Sequence, residues 1–126
     1  MPKLIPELPN AATPIGPYSV ACEANGFVYI SGQIPVDPAT GEGVQGDAAV
    51  QAARVMENIS LLLSDLGMDF TNVVKTTIFL TDMSDFAKVN AVYAERFPVD
   101  PPARSTVEVS ALPGGYNVEI ETIATR

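Results

Sequence analysis

Hydrophobic and polar residues follow two periods along the chain, and these periods divide it into elements. Five stretches carry the alternation or the β-branched content typical of strands. They are Ser19–Cys22, Phe27–Ser31, Val73–Leu80, Arg104–Val109 and Asn117–Ile123. Asn25-Gly26 between the first two stretches is a strong hairpin signal. Leu112-Pro113-Gly114-Gly115 supplies turn chemistry between the last two, which we therefore expect to be joined by a turn.

Two other stretches have apolar residues three and four positions apart, which predicts helices. The first is capped by Asp47, runs to Leu66 and stops at Gly67. The second is opened by Asp82, with Asp85 as a partner resembling a capping box, and stops at Pro98. Its expected buried stripe is Met83, Phe86, Val89, Tyr93 and Phe97.

The resulting order is strand, strand, helix, strand, helix, strand, strand. This order predicts a single α+β domain over residues 1–126, with both helices on one face of the sheet. The other face then needs a cover, and in a chain of 126 residues a second copy of the chain is the simplest one.

Strand parity in the last two strands suggests a pair of functional residues. Side chains of a strand alternate between its two faces, so we assume that the apolar residues face the core. These are Val107, Val109, Val118 and Ile120. Arg104 and Glu119 would then share the outer face, where a guanidinium and a carboxylate could bind a small carboxylic acid and move a proton beside it.

Solvated charges on an outer sheet face are the alternative, and a cross-strand ion pair there contributes little. Ile123 falls on the same face and favours a face covered by another subunit.

Two upstream features add to the candidate site. Ile15-Gly16-Pro17-Tyr18 is a turn that fixes a tyrosine, and Gly32 directly follows a strand, where it either admits a ligand or only forms a bulge. Asn90 lies on or near the stripe of the second helix and needs a hydrogen-bond partner there.

Composition excludes several classes of function. The net charge is −8, from 7 Lys and Arg against 15 Asp and Glu, which argues against nucleic acid or an anionic membrane as partner. The chain has no histidine and one cysteine, Cys22, so we expect no zinc site, no histidine base and no disulfide framework. The beginning of the chain lacks a signal-peptide pattern, and we expect a cytoplasmic protein.

Five motifs in register resemble the RidA family of reactive intermediate deaminases, also called the YjgF or L-PSP family, over nearly the whole chain. They are Ile15-Gly16-Pro17-Tyr18, Ser31-Gly32-Gln33-Ile34-Pro35, Asp85-Phe86-Ala87-Lys88-Val89-Asn90, Pro102-Ala103-Arg104-Ser105 and Val118-Glu119-Ile120-Glu121. The resemblance implies a chorismate-mutase-like α+β fold and a homotrimer with sites between subunits. It implies hydrolysis of 2-imino or enamine acids, such as 2-iminobutanoate, 2-iminopropanoate and 2-aminoacrylate, to 2-oxo acids and ammonia without a cofactor.

The resemblance also implies roles for individual residues. Arg104 would hold the substrate carboxylate, and Glu119 would position or activate the attacking water. Tyr18 would lie near the substrate, Ser31 and Gly32 would form the pocket wall, and Asn90 would support the site from the helix. The resemblance thus implies Arg104 and Glu119 as catalytic residues, and Arg104, Tyr18, Ser31, Gly32 and Asn90 as substrate-binding residues.

Thr106 departs from the family pattern, because many members carry a cysteine at this position. A thiol-based role is thereby put in doubt, whereas imine hydrolysis needs no thiol. The competing functions are a non-catalytic trimer that binds small metabolites as a regulator or chaperone, a nuclease or translation inhibitor, and a chorismate mutase. The charge and the missing histidine disfavour the nuclease, and only likeness of fold supports the mutase.

Overall fold

A computed structural model describes residues 2–126 and contains the predicted elements in the predicted order. The strands are β1 (Ala21–Ala24), β2 (Phe27–Gln33), β3 (Val73–Leu80), β4 (Ala103–Glu108) and β5 (Val118–Thr125). The helices are α1 (Ala48–Asp65) and α2 (Phe86–Ala94), with short 3-10 turns at Phe70–Asn72, Met83–Asp85 and Pro113–Gly115. None of the helices in this part of the chain is both long and apolar enough to cross a membrane.

The five strands form one mixed sheet in the order β1-β2-β5-β3-β4. All neighbours are antiparallel except β3 and β4, which are parallel. Both helices pack on one face of this sheet, which confirms the predicted α+β class. Along β5 the residues Val118, Ile120, Thr122 and Ala124 face the helices and are buried, while the residues between them are more exposed.

The predicted turn between the last two strands does not make them neighbours, because β3 lies between β4 and β5. The unit β3-α2-β4 is a crossover between parallel strands, and it carries β4 to the edge of the sheet. The chain then passes through the 3-10 turn at Pro113–Gly115 and returns to insert β5 between β2 and β3. Local turn residues could not reveal this, since the crossover is a non-local feature.

The helix starts differ in how well the sequence predicted them. Asp47 caps α1 as expected, because its carboxylate accepts hydrogen bonds of 3.1 Å from the backbone N–H groups of both Ala49 and Val50. Asp82 instead caps the short 3-10 turn, where it accepts from the N–H of Ser84, and α2 begins only at Phe86. Asp85 precedes α2 without a capping hydrogen bond, so the expected capping box is not formed.

The buried stripe of α2 is shorter than predicted. Val89 and Tyr93 are buried, and Phe97 beyond the helix also joins the core. Met83 and Phe86 were expected in the same stripe but are 38% and 39% exposed. Met83 lies in the 3-10 turn before α2, and Phe86 is the first residue of the helix and lies against Arg104 at the edge strand β4.

The sheet face opposite the helices is open in the single chain and carries apolar side chains. Phe27 and Tyr29 on β2 are 41% and 46% exposed, and Val107 on β4 is 41% exposed. Tyr29 lies beside Ile123, and Phe79 lies beside both Val107 and Glu119. We call this surface the open face. Its apolar content matches the expectation of a covering subunit, which stays a prediction.

Candidate functional site

Arg104 and Glu119 lie on opposite faces of the sheet, so the predicted common face is wrong. Arg104 is in register with Thr76, which is 2% exposed and faces the helices. Glu119 is in register with Phe79, and these two side chains belong to the open face. The error came from Val107, which was assumed to face the core but points to the open face with Glu119. Because β4 is an edge strand, a valine on its uncovered face remains exposed.

Arg104 is held against two aromatic rings of α2. Its guanidinium carbon lies 5.0 Å from the ring centre of Tyr93 and 5.6 Å from that of Phe86. The ion pairs found within residues 2–126 use Lys88, Arg96 and Arg126, so Arg104 has no carboxylate partner there. Its N–H donors are therefore available to a planar anion such as a carboxylate.

Asn90 lies on α2, the helix that carries both of these rings. Residues spaced four and three apart share one side of a helix, so Phe86, Asn90 and Tyr93 form one row along α2. Asn90 is half-buried there. It thus shares a side of α2 with the two rings that contact Arg104, and its support of the site stays a prediction.

Glu119 and Gly32 form a second group. The register between β2 and β5 shifts between Ile30 and Gln33, so Gly32 lies in a bulge. A Cβ atom built at Gly32 would overlap the carboxylate of Glu119, so glycine lets the acid lie against the backbone in this position. The predicted bulge is confirmed, and the approach of a ligand to Gly32 stays a prediction.

The carboxylate of Glu119 is half-buried and lacks a cation. Burial, and then the neighbouring negative charge of Glu121, raise the pKa of Glu119 above its ordinary value of 4.5. Such a carboxylate takes up a proton more readily than a solvated one. It is suited to accept a proton from a water molecule and to return it within one reaction.

Ser31 directly precedes Gly32 in β2 and ties it to the segment that follows Tyr18. The Ser31 hydroxyl donates a 2.7 Å hydrogen bond to the carbonyl of Ser19, and the Ser31 N–H donates to the carbonyl of Val20. Tyr18 is 50% exposed and lines, together with Gly32, a pocket of about 460 Å³ between the N-terminal segment, the loop after β2 and α1. Glu119 does not line this pocket, so the structure does not bring Tyr18 and Glu119 together there.

The two predicted catalytic residues thus lie on opposite faces of the sheet. Arg104 is on the helix face, whereas Glu119, with Gly32 beside it, is on the open face. The strand β3 separates β4 from β5, and neighbouring strands are roughly 4.8 Å apart. Because the sheet itself also lies between the two side chains, a 2-imino acid of six or seven heavy atoms cannot contact both Arg104 and Glu119 of the same chain.

Sequence reasoning missed Phe86 and Tyr93 as functional candidates, because it assigned both to the core. The available signal was the spacing of four and three residues that puts Phe86, Asn90 and Tyr93 on one side of the helix that precedes the strand with Arg104. Within residues 2–126 there is also no cluster of three or more histidine, cysteine or acidic side chains that could hold a metal ion.

Comparison with known proteins places the chain in a family. The sequence profile described as endoribonuclease L-PSP matches residues 8–126. Protein DfrA of Myxococcus xanthus is 57% identical over 117 residues, which cover 91% of this chain and 89% of that protein. The mouse 2-iminobutanoate/2-iminopropanoate deaminase is 45% identical over 117 residues, covering 93% of this chain and 87% of the relative.

A solved structure agrees with the fold. E. coli TdcF with bound serine superposes with a TM-score of 0.89 at 38% identity, covering 98% of each chain. The relatives carry different names, so their names support a deaminase family without fixing a single substrate. The match over most of the chain, the identities above 30% and the shared fold lead to one conclusion: the chain belongs to the endoribonuclease L-PSP family, which is the RidA family.

Proposed function

We propose that the protein hydrolyses small 2-imino acids to 2-oxo acids and ammonia, at sites formed between subunits of a homotrimer. The observation that carries the proposal is the pair of incomplete half-sites. Arg104 is a stacked guanidinium without an anion, and Glu119 is a half-buried carboxylate without a cation. The deaminase name of the mouse relative supports the same reaction.

A second copy of the chain can supply the missing half. The half-sites lie on different surfaces, so the contact that joins them is heterologous, and a heterologous contact closes into a ring when its rotation permits. Arg104 lies on the helix-facing side of the edge strand β4. This edge would pack against the open face of a neighbouring subunit, which carries Glu119 and Gly32. This contact would also cover the apolar side chains of the open face.

The reaction then needs only positioning and one proton carrier. Arg104 binds the substrate carboxylate with two parallel hydrogen bonds and fixes the imine carbon relative to the neighbour's Glu119. Water adds to the protonated imine carbon while its proton passes to the Glu119 carboxylate, which gives a neutral carbinolamine. Glu119 returns the proton to nitrogen, the C–N bond breaks with release of ammonia, and the hydroxyl passes its proton to that ammonia as the carbonyl forms. The products are a 2-oxo acid and ammonium.

The direct test follows an imine during its formation. A threonine dehydratase releases 2-iminobutanoate, and semicarbazide traps it as a semicarbazone. We expect the protein to lower the rate of semicarbazone formation in proportion to its concentration, because hydrolysis competes with trapping. An unchanged rate across the concentration range would contradict the proposed reaction.

A specific observation favours one other function, the binding of a small metabolite without turnover. TdcF was solved with bound serine, an amino acid with a free carboxylate. A half-site with Arg104 serves a sensor as well as an enzyme. Saturable binding of 2-oxobutanoate together with an unchanged trapping rate would support this second function. Nucleic acid is disfavoured, because the net charge is −8 and repels phosphates.

The pH dependence of the reaction should report the carboxylate of Glu119. Water activation needs the ionised carboxylate, and burial followed by the charge of Glu121 raises the pKa of Glu119 above 4.5. Activity should therefore fall as the pH is lowered through this raised pKa, after subtraction of the uncatalysed rate. In Glu121→Gln the like charge is absent, the pKa of Glu119 is lower, and the acid limb should move to lower pH. An acid limb at the same pH in both proteins would contradict the role of Glu119.

A further inference from the structure

The guanidinium of Arg104 rests on a built support. Tyr93 is 5% exposed, and its hydroxyl forms a 2.6 Å hydrogen bond with the hydroxyl of Thr76 on β3. Thr76 is the residue in register with Arg104, so one sheet row holds both the arginine and the anchor of the ring beneath it. Phe86 lies about two turns before Tyr93 on the same side of α2. It places a second ring 5.6 Å from the same guanidinium carbon.

From this geometry we propose that Phe86 and Tyr93, which we call the aromatic shelf, are positioning residues for Arg104 and set the affinity for the substrate carboxylate. This inference rests on the proposed function, since it assigns a role to the surroundings of the carboxylate-binding arginine. The shelf contacts Arg104 and acts on the ligand only through it.

The physical reason is the flexibility of arginine. A free arginine side chain has many rotamers and loses this conformational entropy when it is fixed in one conformation. Two ring faces that attract a cation keep the guanidinium oriented before the ligand arrives, so less of this entropy is lost on binding. The rings offer no hydrogen-bond acceptor to compete with the ligand, whereas a carboxylate partner would occupy the N–H donors of Arg104.

The two rings differ in their cost to the fold. Tyr93 is buried and also packs on Phe97, with ring centres 4.8 Å apart, so its removal disturbs the core. Phe86 is 39% exposed at the start of α2, so its replacement changes the contact with Arg104 at little cost in stability. Phe86 is therefore the residue of choice for a test, and Thr76→Val tests the anchor of Tyr93 while both rings remain.

The experiment measures ligand affinity by titration calorimetry on the intact assembled protein. The probes are 2-oxobutanoate and its uncharged analogue 2-oxobutanamide, and the variants are Phe86→Leu, Phe86→Tyr, Thr76→Val and Arg104→Ala. We expect Phe86→Leu to lower the affinity for 2-oxobutanoate roughly three- to tenfold, which corresponds to the loss of one partly desolvated cation–π contact. The affinity for 2-oxobutanamide should change little. Phe86→Tyr keeps a ring and should retain the affinity for the acid. In the trapping assay Phe86→Leu should raise KM more than it lowers kcat.

The outcomes separate the shelf from the proposed function. Equal weakening of acid and amide, or no weakening of either in Phe86→Leu, would overturn the role of the shelf, provided that Arg104→Ala still abolishes acid binding. An unchanged affinity for the acid in Arg104→Ala would instead overturn the carboxylate-binding role of the arginine itself. Selective loss of acid affinity in Phe86→Leu and a smaller selective loss in Thr76→Val would support the shelf.

Discussion

Replacement of Arg104 by alanine should remove the deaminase activity and leave the fold intact. The guanidinium is the group that would hold the substrate carboxylate, and truncation of one partner of a hydrogen-bonded charge pair costs roughly 2–5 kcal/mol. Since about 1.4 kcal/mol is tenfold in rate, kcat/KM should fall by a factor of roughly 30 to several thousand. The semicarbazone assay measures the loss, and circular dichroism and thermal unfolding measure the fold.

Matched variants make the result specific. The Arg96 side chain pairs with Glu57 at 2.9 Å and stacks on Phe70, and neither partner is a predicted site residue, so Arg96→Ala removes an arginine that the proposed reaction does not use. Its kcat/KM should remain near that of the natural protein. Arg104→Lys keeps the charge but loses the planar fork and should recover only part of the activity. Full activity in Arg104→Ala would contradict the assignment of the carboxylate-binding residue.

Much of the fold could be predicted from the sequence because the signals are local. The β-branched run of β3 was placed from Val73 to Leu80, which are its observed ends, and Asp47 was identified as the cap of α1. Such features depend on residues close along the chain, and the same holds for the turn at Asn25-Gly26, where φ is 53° and 81°. These two turn residues have the backbone conformation that asparagine and glycine adopt most readily.

Strand order could not be predicted in this way, and the site geometry depends on it. The sequence identified Arg104 and Glu119, but their relative placement follows from β3 lying between β4 and β5. A strand at the edge of a sheet exposes residues on its uncovered face, so Val107 was misleading as a marker of the core. The sequence shows which residues could form a site. The sheet face on which each side chain lies depends on the order of the strands, which the sequence does not show locally.

This separation of the half-sites leads to a second large effect, in mixed assemblies. Arg104→Ala and Glu119→Gln should each be inactive alone, because each lacks one half of every site. When the two variants are unfolded together and refolded as a one-to-one mixture, some sites combine the intact Arg104 of one subunit with the intact Glu119 of its neighbour. In a cyclic trimer about one quarter of the sites are expected to be complete by random assortment. The trapping assay should therefore recover activity that neither variant has.

The reference mixture combines the natural protein with the double variant Arg104→Ala/Glu119→Gln under the same refolding protocol. If each site takes its two groups from neighbouring subunits, about one quarter of the sites are complete in this mixture as well, so both mixtures give equal activity. If both groups acted from the same chain, the mixture of single variants would stay inactive and the reference would retain about one half. The ratio of the activities of the two mixtures therefore differs between the two arrangements. Because both mixtures are refolded in the same way, losses during refolding cancel in this ratio. Equal activity is the result that the opposite-face placement of Arg104 and Glu119 predicts.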